Sequence, residues 1–151
     1  MQLPIKKILA PTDGSKNSLA ALQVAVGLAK DYGAELDIVQ VLSMHPTSIS
    51  MSSLSGTSAA LLSVYEEEAK SARKTIDDAV ELAKKHGVKA SGEIIRMQNS
   101  IVEAIVEKAL AQKVDLIVIG TRGLGGFRKL LLGSVSSGVV THASCPVFVV
   151  R

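Results

Sequence analysis

Short apolar runs alternate with longer amphipathic stretches from one end of the chain to the other, and that rhythm leaves few folds open. Residues 5–10 form an apolar run ended by Pro11 and read as a first strand. Ser15 then caps a helix over about 16–32, with Leu19, Leu22, Val26 and Ala29 at helical spacing and Gly33 at the C-terminal cap. Residues 35–42 read as strand two. A helix over about 61–86 carries the stripe Tyr65, Ala69, Ala72, Ile76, Ala79, Val80 and Ala83, with charges opposite and Gly87 at its end. Residues 88–95 read as strand three, interrupted by Gly92. Ser100 and Glu103 fit a capping box for a helix whose inner face is Val102, Ile105, Val106 and Ala109. Residues 116–119 are apolar on both faces, as a central parallel strand requires. A last helix over about 134–143 and a strand over 147–150 complete the pattern. Strands alternating with helices imply an α/β fold: a parallel sheet of five strands with helices on both sides, in three layers.

Such doubly wound sheets bind ligands at the carboxyl ends of their strands, where the strand order reverses. Two segments fall there: residues 11–15, after strand one, and the Gly-rich stretch 120–133, after strand four. Glycines let a backbone turn sharply and approach a ligand, and a helix N-terminus favours an anion. Gly120 and Gly123 on one side, and Gly133 and Ser134 on the other, can hold a polyphosphate between them; Arg122, Arg128 and Lys129 can add charge. The other reading of these glycines is turns and close packing. Asp13 likewise either fixes its own turn or meets a ligand, and Arg122 either meets phosphate or faces solvent. There is no GxxxxGK[ST], and no GxGxxG after the first strand.

Composition narrows the rest. The 151 residues suit one domain spanning 1–151, interrupted by a Ser-rich, aperiodic stretch over 43–64 that reads as a mobile excursion. The net charge of +3 is spread among alternating signs and aromatics are only 3%, which argues against nucleic acid as a partner. One cysteine, Cys145, excludes an internal disulfide and reads as a small buried filler. No apolar run spans a membrane, and Pro4, Lys6 and Lys7 break up the N-terminal stretch, so the expected location is the cytoplasm. His45, His86 and His142 stand apart from any ligand partner, with His86 and His142 near helix ends, where they can meet carbonyls. Met44 and Met51 either pack over a ligand or cover apolar surface.

The spacing Gly120-x2-Gly123-x9-Gly133-Ser134 matches the G-2x-G-9x-G-[S/T] motif of ATP-binding universal stress proteins. Residues 8–15 resemble that family's first strand and turn, and residues 144–150 its final strand. The resemblance covers the whole chain. It implies a Rossmann-like adenine-nucleotide-binding fold with strand order 3-2-1-4-5. It also implies that Pro11, Thr12 and Asp13 line the adenosine site, with the Asp carboxylate near ribose and phosphates. Val41 would contact adenine, and Ile119 and Gly120 would close the other side of the nucleoside. Gly123, Gly133, Ser134, Val135 and Ser136 would cradle the phosphates. The implied ligand is ATP or another adenine nucleotide, with Mg²⁺ or Mn²⁺ bridging phosphates and no protein-only metal cage.

Three functions then stand open: a nucleotide-dependent stress-response regulator or sensor read by an unknown protein partner, a slow ATPase or phosphoryl-transfer enzyme, and a nucleotide-independent interaction module. The sequence places no catalytic residue, and Asp13 is the one obvious carboxylate at the cradle, which favours the first. The retained glycine motif counts against the third. An open apolar edge is usually covered or paired, so strand 147–150 is expected to pair with its copy in a homodimer, as similar proteins do.

Overall fold

A computed structural model describes residues 4–43, 58–97, 99–121 and 132–151. The elements alternate as expected: β1 (Lys7–Pro11), α1 (Lys16–Tyr32), β2 (Glu35–Ser43), α2 (Ser58–Lys85), β3 (Ala90–Met97), α3 (Ile101–Ala111), β4 (Leu116–Gly120), α4 (Ser134–His142) and β5 (Val147–Val150). All five strands are parallel, in the order β3-β2-β1-β4-β5. The order reverses at β1, whose neighbours are β2 and β4.

The two-residue period of the strands divides the core. Ile8, Ala10, Leu36, Ile38, Leu116 and Val118 face α1 and α2, while Leu9, Val39, Ile117 and Ile119 face α3 and α4. Helix α1 buries Ala21, Leu22, Ala25, Val26 and Ala29. Leu19, expected in that stripe, is exposed, because at about 100° per residue it falls to the side of the buried row Ser18, Leu22, Ala25 and Ala29. In α3 the buried set is Ala104, Ile105 and Ala109, and Val106 is only partly covered. Gly33, in the left-handed conformation at φ 64, ends α1, and Ala34 N donates to Ala29 O at 2.8 Å.

Close approach explains two other glycines. A Cβ at Gly92 would stand 2.3 Å from Ile76 Cγ2 and 2.9 Å from Val80 Cγ2. Gly92 thus does not interrupt β3; it lets α2 settle on the strand. A Cβ at Gly138 would stand 2.6 Å from Val102 Cγ2, so α3 and α4 also touch closely.

At the amino ends of the strands, charges alternate across the sheet. Lys89 pairs with Glu35, Glu35 lies in register with Lys7, and Asp115 Oδ2 accepts from the Lys6 and Lys7 amides at 2.8 and 2.9 Å. The Lys89 ammonium holds the Glu35 carboxyl below its usual range. Of the excursion expected over 43–64, Ser43 ends β2 and residues 58–64 are the first turns of α2, since Ala and Leu favour helix. Residues 44–57, including Met44, His45 and Met51, lie outside the described residues. Among the described residues, no helix is long and apolar enough to cross a membrane.

Candidate functional site

The carboxyl end of β1 leads into a turn held together by hydroxyls. Thr12 continues the pairing, donating its amide to Val39 O at 2.8 Å. Asp13 Oδ1 accepts from Ser15 N at 2.9 Å, so Asp13 fixes its own turn. Gly14 supplies the left-handed residue, at φ 80. Ser15 caps α1 through Ser18 N at 3.2 Å. Thr12, Ser15 and Ser18 are all buried, and Thr12 Oγ1 donates to Ser18 Oγ at 3.0 Å.

The carboxyl end of β4 stands beside this turn. A Cβ at Gly120 would lie 2.8 Å from Asn17 O and 3.3 Å from Ser18 N. The first turn of α1 is therefore seated on the backbone of Gly120. Thr121 N donates to Val150 O at 2.9 Å, tying the segment to β5. Thr121 O in turn accepts from Gly133 N at 2.6 Å and from Ser136 Oγ at 2.8 Å. Gly133 is the N-cap of α4 and offers no side-chain acceptor to the first amides of that helix. The starts of α1 and α4 thus lie against consecutive residues, Gly120 and Thr121, at the end of one central strand, and a helix start carries the positive end of its dipole.

The structure brings most of the expected site residues to this edge. Pro11 ends β1, and Thr12 and Asp13 follow it; Ile119 and Gly120 end β4; Gly133, Ser134, Val135 and Ser136 open α4. Val41 lies two residues beyond Val39, the partner of Pro11. Val41 and Val135 are partly buried against the apolar cluster that contains Ile119. Ser136 is buried, with its hydroxyl directed at Thr121 O and Gly133 O. Arg122 and Gly123, with Arg128 and Lys129, lie outside the described residues. Asn17, Ser18 and Thr121 were missed in the sequence because their contacts join segments far apart in the chain. The one available signal was Ser18 at the third helical position, spaced to pair with the Ser15 cap.

Other features lie apart from this edge. A groove of about 420 Å³ between α2 and β3 is lined by Ile76, Val80, Glu81 and Gly92, among others, and contains none of the expected site residues. His86 Nδ1 and His142 Nδ1 each meet a carbonyl one turn back, of Leu82 and Gly138, at 2.9 Å. Cys145 packs against the apolar cluster under α3 and α4, and burial pushes its thiol above the usual range. Among the described residues, no three His, Cys, Asp or Glu side chains are grouped to hold a metal ion.

Comparison with known proteins adds an independent line. The sequence model of the universal stress protein family matches residues 4–151. A universal stress protein of Methanocaldococcus jannaschii is 36% identical over 146 residues, covering 97% of this chain and 82% of that protein. The universal stress protein UspA from Lactobacillus plantarum superposes with a TM-score of 0.80 at 25% identity, over 97% of this chain and 98% of that one. A universal stress protein crystallised in complex with cAMP superposes with a TM-score of 0.68 at 26% identity, over 97% of each chain.

Proposed function

We propose, from the premise that the chain belongs to the universal stress protein family, that it binds an adenine nucleotide, ATP foremost, across the carboxyl ends of β1 and β4. The observation that carries the proposal is the seating of both helix starts against the end of β4: an added Cβ at Gly120 would collide with α1, and Gly133 N and Ser136 Oγ at the start of α4 donate to Thr121 O. Backbone amides at the start of α4, which no side chain caps, suit a phosphate chain. The cAMP complex of a relative at 26% identity supports adenine as the base.

In this reading Val41 and Ile119 flank the base, and the turn of Pro11, Thr12 and Asp13 meets the ribose. The opening amides of α4 at Ser134, Val135 and Ser136 meet phosphate, with Gly133 setting their start; Arg122 and Gly123 are assigned to the phosphates by their motif positions alone. A Mg²⁺ or Mn²⁺ ion would supply positive charge to the phosphates, and such ions need few protein ligands. Asp13 is the carboxylate nearest to that role. The proposal assigns no catalytic residue: the nucleotide acts as a ligand whose presence a partner or a second copy reads. The exposed apolar strand β5, at the sheet edge, is the surface assigned to that second copy.

Calorimetric titration of nucleotide-stripped protein with ATP, ADP, AMP and cAMP, with and without Mg²⁺, tests this. Saturable binding in the micromolar range or tighter is expected, weakened roughly tenfold or more by Asp13→Ala. Folded protein that gives no heat with any of the four would sink the nucleotide reading.

A further inference from the structure

Ser18 stands where three parts of the candidate site join. Its hydroxyl donates to Ser15 O at 2.9 Å and accepts from Thr12 Oγ1 at 3.0 Å. Ser15 Oγ at 3.3 Å and Asp13 N at 3.4 Å also point at the same oxygen. Its amide donates to the Ser15 hydroxyl and lies 3.3 Å from where a Gly120 Cβ would sit. A hydroxyl has one hydrogen and two lone pairs, so the capacity of this one is fully used inside the protein. Ser18 is only 6% exposed and Thr12 is equally covered.

We infer that Ser18 is a positioning residue for the nucleoside. It holds the Thr12–Ser15 turn at a fixed separation from the end of β4 without touching the ligand. This rests on the nucleotide reading above. The physical reason is saturation: a helix cap alone needs only Ser15 Oγ and Ser18 N, yet here the Ser18 side chain also holds Thr12 and reaches Asp13 N. Removing the hydroxyl leaves the Thr12 hydroxyl buried without its acceptor, and the turn must shift to recover one. The turn of Thr12 and Asp13 is then no longer tied to the helix start that sits on Gly120. Phosphate contacts at α4 are untouched, because Gly133 and Ser136 are held by Thr121 O instead.

The test compares Ser18→Ala with Leu22→Ala, a core deletion one turn along the same helix. Leu22 is 2% exposed and belongs to the cluster under α1 and α2. Both are titrated with ATP, ADP and AMP at low temperature, where circular dichroism shows each variant folded. Ser18→Ala is expected to weaken all three nucleotides by a similar factor, about tenfold. Leu22→Ala is expected to bind within about twofold of the parent despite a larger loss of stability. If Ser18→Ala does not fold, Ser18→Cys, slightly larger and with a weak hydrogen-bonding group, is expected to show the same uniform loss. Parent-like affinity in the Ser18 variant overturns the inference, as does an equal loss in Leu22→Ala or a loss confined to ATP. A parent protein that binds none of the three defeats the nucleotide reading itself, a result distinct from any of these.

Discussion

An added methyl group at Gly120 would meet the Asn17 carbonyl oxygen at 2.8 Å, and backbone cannot rotate away as a side chain can. Gly120→Ala should cost about 1–3 kcal/mol, read as a lower urea midpoint, and should weaken nucleotide binding as well; an unchanged midpoint would show that α1 is not seated as described. The glycine was legible in the sequence as a motif position, but its reason was not, because Asn17 is reached only through the fold. Gln40 carries a different signal. Its side-chain oxygen is buried with no hydrogen-bond partner among the described residues, which ordinarily costs stability. Gln40→Leu is therefore expected to leave the urea midpoint unchanged or raised, and a clear drop would show that the amide has a partner in solution. At Cys145, burial and the nearby Asp115 charge keep the thiol protonated above its ordinary range. Because the thiolate is the nucleophile, alkylation near pH 8 should run slower than for an unburied thiol and quicken only as the pH rises further. Rapid labelling at pH 8 would contradict this.

The elements were legible to within a few residues, because each rests on local periodicity and caps. Ser15, Gly33 and Ser100 mark helix ends in the sequence and do so in the structure. What local reading could not supply was fit between elements. Gly92 looked like a break in β3, yet it is the point where α2 lies closest. Gly92→Ala should destabilise by about 1–3 kcal/mol, and the loss should shrink in a background that shortens the opposing side chain, Ile76→Ala. A double-mutant cycle in urea checks this: a combined loss well below the sum of the single losses is expected, and simple additivity would argue against the contact. The same blindness to fit placed Leu19 in the core. The alanine row on α1 gains its meaning from the sheet beneath it.

The strand order places β1 and β4 side by side, and with it the turn after β1 beside the end of β4; the order was legible through resemblance, whereas the close seating of α1 on Gly120 was not. The two sheet edges differ in kind. β3 carries Lys89, Glu93 and Arg96 at or beside it, while β5 is Val147, Phe148, Val149 and Val150, with Phe148 47% exposed. Charge protects the first edge and the second invites pairing. Light scattering on eluted protein should give twice the 15.8 kDa chain mass at tens of micromolar, and Phe148→Glu should halve it; a monomeric parent protein would remove β5 from this role. The most direct test of the account is an amide NMR map of isotope-labelled protein titrated with ATP and Mg²⁺. It should show saturable shifts at Thr12–Ser15, Gly120–Thr121 and Ser134–Ser136, with the groove at Ile76 and Gly92 unmoved. A folded spectrum that does not change, or shifts gathered at the α2–β3 groove, would contradict a nucleotide site at the carboxyl ends of β1 and β4.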